Sequence, residues 1–141
     1  MAVEAGYNSR VEDAAAAFLI KAEQSLVGAK SEWDNGRYDN CANRCYYAAF
    51  QAAISALLRY GVRPAGPKWE HSFVQARFAG DLIGRRKLYP SELRDVLGRL
   101  LILRQMADYE VEEVTRIQSY RASRSAEKLV ETVRGGGGVG Q

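Results

Sequence analysis

The sequence predicts an all-α fold, an up-and-down antiparallel bundle of about five helices, and three observations carry that prediction. Apolar residues recur at steps of three and four along most of the chain. The stretches between these periodic segments are short and rich in Gly, Pro, Asn and Asp, the residues that turn a backbone. No stretch alternates apolar and polar residues as a half-buried strand does.

The first helix is expected from about Glu12 to Glu32, with Phe18, Ala22, Leu26 and Ala29 as its stripe and Ala15, Leu19 and Val27 widening it. Asn35-Gly36 then offers the left-handed backbone that a reversal needs. A second helix over Tyr38–Arg59, about 33 Å long at 1.5 Å per residue, is apolar around most of its circumference. Only Asn40, Arg44, Gln51 and Ser55 form a narrow polar strip, so several neighbours should enclose it, and its alanines allow close approach. Gly61 and the R-P-A-G-P-K stretch end it. A third helix is expected over about Glu70 to Ile83, then a basic turn, Gly84-Arg85-Arg86-Lys87, that solvates a loop or touches phosphate. Ser91 suits the N-cap of a fourth helix, whose stripe runs through Leu93, Val96, Leu97, Leu100, Leu101, Leu103 and Met106. After an extended acidic connection at Glu110 to Glu113, a fifth helix covers about Thr115 to Val133. Ile117, Tyr120, Ala122, Ser125, Ala126, Leu129, Val130 and Val133 are expected on its buried side.

These elements make one domain: a flexible N-terminus over 1–11, a bundle over 12–134 and a disordered Gly-rich tail over 135–141. The tail is no phosphate-binding loop, since no Lys-Ser or Lys-Thr follows it and no strand precedes it. The longest apolar runs fall short of the roughly 20 residues of a membrane span, and the N-terminus lacks the pattern of a signal peptide. Cytoplasmic residence without membrane association is the expectation. Cys41 and Cys45 read as small buried hydrophobes, and with His71 as the single histidine the chain has too few ligands for a metal. Neither a metal nor another cofactor is expected. The formal net charge of +3 is unevenly spread. Residues 37–104 hold twelve Lys/Arg against five Asp/Glu, whereas 105–113 hold four acids and no base. Solvated helix faces and a nucleic-acid footprint both fit this distribution.

The residues that could carry chemistry are few. Arg104 and Asp108 lie four apart and share a helix face, with Tyr109 beside them where the pattern breaks. They read either as an anion site or as a structural ion pair. His71 reads as a local hydrogen-bonding residue or as a catalytic imidazole. Arg44 and Tyr47, on the polar side of the second helix, are candidate binding residues; the simpler reading of Tyr47 is a half-buried ring using its hydroxyl as a polar handle.

Three stretches together carry a family resemblance: G-R-Y-D-N-C-A-N-R-C-Y-Y-A-A-F-Q-A-A at Gly36 to Ala53, the isolated His71, and L-R-Q-M-A-D-Y at Leu103 to Tyr109. Over about Ala15 to Val133 the chain resembles the HEPN superfamily, in particular its small stand-alone bacterial and archaeal branch with an R-x-x-A-D-Y signature. The resemblance implies a helical bundle, a homodimer whose motif helices face each other, and a minimal nucleotidyltransferase as antitoxin partner. It also implies a toxin-like role, binding RNA or a nucleotide, with metal-independent RNA cleavage as its enzymatic form. The family's RNase motif places a histidine after the arginine with four to six residues between them. Here those positions hold Tyr109, Glu110 and Val111, so catalysis stays open, as does the alternative of a non-catalytic protein-interaction module. On the catalytic reading Arg104, Asp108, Tyr109 and His71 form the site.

Overall fold

A computed structural model of the chain describes residues 2–136, with side chains from Ser9 onward. Five α-helices follow in order: α1 Ala2–Asp34, α2 Tyr38–Arg59, α3 His71–Gln75, α4 Val96–Tyr109 and α5 Arg116–Arg134. A π-helical segment, Ala76–Arg85, continues α3, and a 3₁₀ turn, Ser91–Leu93, precedes α4. Pairings fix the directions. Ser55 donates to the Ala15 carbonyl at 2.7 Å and Gln51 meets Ser25 at 2.7 Å, so α1 and α2 run antiparallel. Asn43 reaches Asp108 while Arg104 lies over Tyr46, so α4 runs against α2. Lys30 pairs with Glu127 and Arg134 with Glu23, so α5 runs against α1 and along α2. The result is the up-and-down all-α bundle, with α2 at its centre.

The enclosure of α2 follows from its composition. Ala48, Ala49, Ala52, Ala53 and Ala56 are fully buried, as are Cys41, Cys45 and Leu57. Small side chains let neighbouring helix axes come close, and α1, α4 and α5 pack on three sides. Ser55, on the strip expected to be polar, is buried as well, its hydroxyl taken up by the Ala15 carbonyl. Gly36 reverses the chain between α1 and α2 at φ +74°, a conformation that other residues adopt only with strain.

Several expectations need correction. The first helix begins at Ala2, within the segment read as a flexible N-terminus; Glu4, Ala5, Glu12 and Ala14 to Ala17 are good helix formers. The tail read over 135–141 lies, from 137 on, outside the described residues. Ser91 caps no α-helix: it opens the 3₁₀ turn, and α4 starts only at Val96. The third helix is a single α-turn that widens into π winding. Gly84 permits this, since a Cβ there would stand 3.3 Å from the Ala79 carbonyl five residues earlier. The wide segment buries Asp81, which accepts from Arg77 at 3.1 Å and from Arg85 Nε at 2.8 Å. With Arg86 lying over the Tyr60 ring, two arginines of the basic turn are already engaged within the fold. On α5, Ile117 and Tyr120 are exposed instead of buried: they lie in the first turns of the helix, where the neighbouring cover is the edge of α1, with Trp33 donating to the Arg116 carbonyl at 3.2 Å and its ring tilted against Tyr120. Val27, placed on the stripe of α1, is 68% exposed.

The entry to α5 is fixed twice. Thr115 Oγ1 accepts from the Gln118 amide at 3.1 Å and the Gln118 side chain accepts from the Thr115 amide at 2.9 Å, a capping box. The Val114 amide donates to Asp39 on α2 at 2.8 Å. Thr115→Ala should therefore lower unfolding free energy by about 1 kcal/mol, read by urea denaturation with the slope unchanged. Ala52→Leu should cost about 1–3 kcal/mol, because a larger side chain has no room between α2 and its neighbours. Arg85 and Arg77 hold the Asp81 carboxyl below its usual range. A depressed carboxylate stabilises the fold above its unfolded pKa of about 3.9 and loses that contribution as pH falls through the folded value. Asp81→Asn should accordingly flatten the acid limb of the stability–pH curve, measured by thermal melts between neutral and acid pH.

Candidate functional site

The four-residue period of α2 places Asn43, Tyr46, Tyr47 and Phe50 along one face, and this face meets the C-terminal half of α4 and the start of α3. Arg104 comes from α4 with its guanidinium carbon 5.1 Å from the centre of the Tyr46 ring and 5.2 Å from that of Tyr47. At this range a cation is drawn to the negative face of each ring. Its Nε donates to Asp108 Oδ2 at 3.3 Å, and the same carboxylate accepts from Asn43 Nδ2 at 3.3 Å. Three groups thus hold the guanidinium, and among the described residues its two terminal nitrogens meet no acceptor. The side chain is 24% exposed, so these nitrogens face a partly sheltered surface.

Tyr46 connects the arginine to the histidine. Its hydroxyl lies 2.8 Å from His71 Nδ1, and its ring stacks on Phe50, which in turn stacks on the imidazole. Burial pushes the Tyr46 phenol up to about 12, partly offset by the Arg104 charge, so it stays protonated at neutral pH. His71 is held below its ordinary value, first by burial and then by Arg104. The imidazole is therefore neutral near pH 7. When Nδ1–H donates to the phenol, Nε2 is left as a bare acceptor; when the phenol donates, Nε2 carries the proton.

Of the residues singled out in the sequence, the fold brings Arg104, Asp108, His71 and Tyr47 to one face. Tyr109 is beside Asp108 in the chain, but its ring is 79% exposed and takes no part in the cluster. Arg44 faces α1, its side chain lying 3.8 Å from where a Cβ on Gly28 would stand. The residues that sequence reasoning missed are Tyr46, which its apolar surroundings assigned to the core, and Asn43. The spacing 43, 46, 47, 50 is a helical stripe of two tyrosines, an amide and a phenylalanine, and that was the available signal. The two cysteines are buried with free thiols, each 3.4 Å from Ser123 Oγ on the α5 side of α2 and away from this face. The hydrogen bond with Cys41 and then burial push the Cys45 thiol up, whereas the same hydrogen bond draws the Cys41 thiol down. No group of three or more His, Cys, Asp or Glu that could hold a metal occurs among the described residues. No helix among them is long and apolar enough to cross a membrane.

Comparison with known proteins agrees with this architecture. The HEPN domain family matches residues 15–136, which takes in all of α2 to α5 and most of α1. A UPF0332 protein from Archaeoglobus fulgidus is 46% identical over 43 residues, a match covering 30% of this chain and 34% of that protein. The stretch aligned with that relative is thus about a third of its length. The family match spans most of the chain and every element that builds the Arg104 cluster; the chain belongs to the HEPN family.

Proposed function

We propose that this HEPN protein is the toxin-like, RNA-binding half of a pair with a minimal nucleotidyltransferase, that it acts as a homodimer, and that it cleaves RNA without a metal at the Arg104 cluster. The observation that carries this reading is the state of Arg104. Two rings and a carboxylate fix the guanidinium while its terminal N–H groups meet no acceptor among the described residues. A planar donor edge held in advance suits the non-bridging oxygens of a phosphodiester, and an arginine can grip them with two parallel hydrogen bonds.

His71 supplies the base that the family motif would place after the arginine. In the tautomer whose Nδ1–H donates to Tyr46, Nε2 takes the proton of a ribose 2′-hydroxyl. The 2′ oxygen then bonds to phosphorus, the bond to the 5′ oxygen breaks, and the leaving oxygen takes a proton from water. Charge grows on the phosphoryl oxygens during this step, and the Arg104 contact strengthens with it. The products are a 2′,3′-cyclic phosphate and a 5′-hydroxyl.

A second reading rests on a specific observation as well. Asp108 binds both Arg104 and Asn43, so the same contacts knit α4 to α2 and would serve a non-catalytic interaction module. The two readings separate on one experiment. Incubated with total RNA and tRNA in chelator, the wild type should cleave, and Arg104→Ala and His71→Ala should each lose about 10²–10⁴-fold in rate. Arg104→Lys should not restore it, since an ammonium lacks the fork. Equal cleavage by wild type and Arg104→Ala, or a variant whose sole change is a lower Tm, would remove the RNase reading. Because the base must be neutral, the rate should rise with pH through an imidazole pKa below 6.5, the ordinary value. Tyr47→Leu with Tyr46→Phe, which weakens the stacked support of Arg104, should lower RNA affinity more than it lowers Tm.

A further inference from the structure

Arg44 stands apart from the Arg104 cluster, yet it lines a groove of its own. Between α1 and α2 lies a space of about 400 Å³ bordered by Lys21, Gln24, Ser25, Gly28 and Glu32 on α1 and by Arg44 and Gln51 on α2. Among the described residues Lys21 and Arg44 form no direct ion pair, although the Arg44 charge is felt by Glu32 across the groove. The acid at the rim, Glu32, is already taken: Arg37 donates to it at 2.5 Å and Asn40 at 3.4 Å, and Arg37 holds its carboxyl below the usual range. Gly28 keeps the space open opposite Arg44, where a side chain would fill it. Of the remaining lining, Ser25 and Gln51 are hydrogen-bonded to each other at 2.7 Å, and Gln24 adds a neutral amide.

The groove and the Arg104 cluster lie on adjoining sides of α2. Tyr47 lies one turn from both Arg44 and Gln51 on α2, at the edge of the polar strip, and its ring carries Arg104. The cation held over Tyr47 and the two cations on the next side of α2 form a track across the helix. We infer that the Lys21–Arg44 groove is a second phosphate subsite, which takes the backbone of single-stranded RNA as it leaves the Arg104 cluster over Tyr47. This inference rests on the reading of Arg104 as an RNA contact. An acidic peptide is the weaker fit, because the track runs past aromatic rings that suit bases, and a chain of phosphates meets cations along it.

The groove makes its contribution only to RNA long enough to cross Tyr47. An oligonucleotide of about ten residues, within the site sizes of single-strand binders, and a dinucleotide serve as probes. Each uses non-cleavable 2′-deoxy chemistry at every position, and affinity is measured from low to moderate salt. Lys21→Gln combined with Arg44→Gln should weaken the long probe about tenfold and lower its salt slope by about 1.4, the loss of two phosphate contacts on a single strand. Dinucleotide affinity and Tm should stay at wild-type values. Gly28→Leu, which fills the groove without changing charge and favours helix, should weaken the long probe in the same selective way. An unchanged affinity and slope in the double variant would overturn the inference. So would an oligo-glutamate peptide that binds the groove while the long probe does not. If instead Arg104→Ala binds both probes as the wild type does while the groove variants lose the long one, the groove stands and the Arg104 reading falls.

Discussion

The enclosure of α2 is the constraint from which the rest of the molecule follows. A helix with alanine or cysteine at Cys41, Ala42, Cys45, Ala48, Ala49, Ala52, Ala53 and Ala56 cannot cover itself with its own side chains. It is stable only when other helices approach closely on several sides. The antiparallel α1, the parallel α5 and the antiparallel α4 supply that cover. The polar and aromatic residues of α2 are then pressed into the seams between neighbours. Asn43, Tyr46 and Tyr47 fall in the seam with α4 and α3, and Arg44 and Gln51 in the seam with α1.

That placement decides the chemistry available. In the α4 seam a guanidinium meets two electron-rich ring faces and a carboxylate, so its position is fixed before any ligand arrives. The Tyr46 phenol extends the same fixed structure to His71, the single imidazole of the chain. Burial keeps both the phenol and the imidazole neutral, which leaves the arginine as the charged member of the trio. A neutral base beside a permanent cation is an arrangement suited to deprotonating a hydroxyl next to a phosphate. In the α1 seam a groove stays open, lined by Lys21, Arg44 and Gln51.

The fold was legible in the sequence because helical periodicity and turn residues agree along nearly the whole chain. The central position of α2 could be read from its apolar circumference alone. What escaped depended on tertiary contacts. The π winding of Ala76–Arg85 arises from the burial of Asp81 between Arg77 and Arg85 and from the backbone approach at Gly84, neither of which leaves a periodic trace. Ile117 and Tyr120 looked buried because their spacing fits the stripe of α5, whereas in the fold Trp33 is the ring beside Tyr120 and both residues stay exposed. At the candidate site, the Arg104–Asp108 pair was visible from its spacing of four. Tyr46 was not, since a tyrosine among alanines reads as core. The link from Arg104 through Tyr46 to His71 joins residues 25 and more positions apart, and only the folded chain brings them together.

RNA held on the Arg104 face comes beside His71, to which Tyr46 links the arginine, and the solitary histidine allows a direct reading. The imidazole signals of His71 can be followed by NMR without ambiguity of assignment while a non-cleavable RNA is added. The account predicts that the His71 resonances move to a saturable limit, and that they stay put in Arg104→Ala at the same RNA concentration. Imidazole signals that remain unshifted in the wild type, under conditions where the RNA is fully bound, would contradict it.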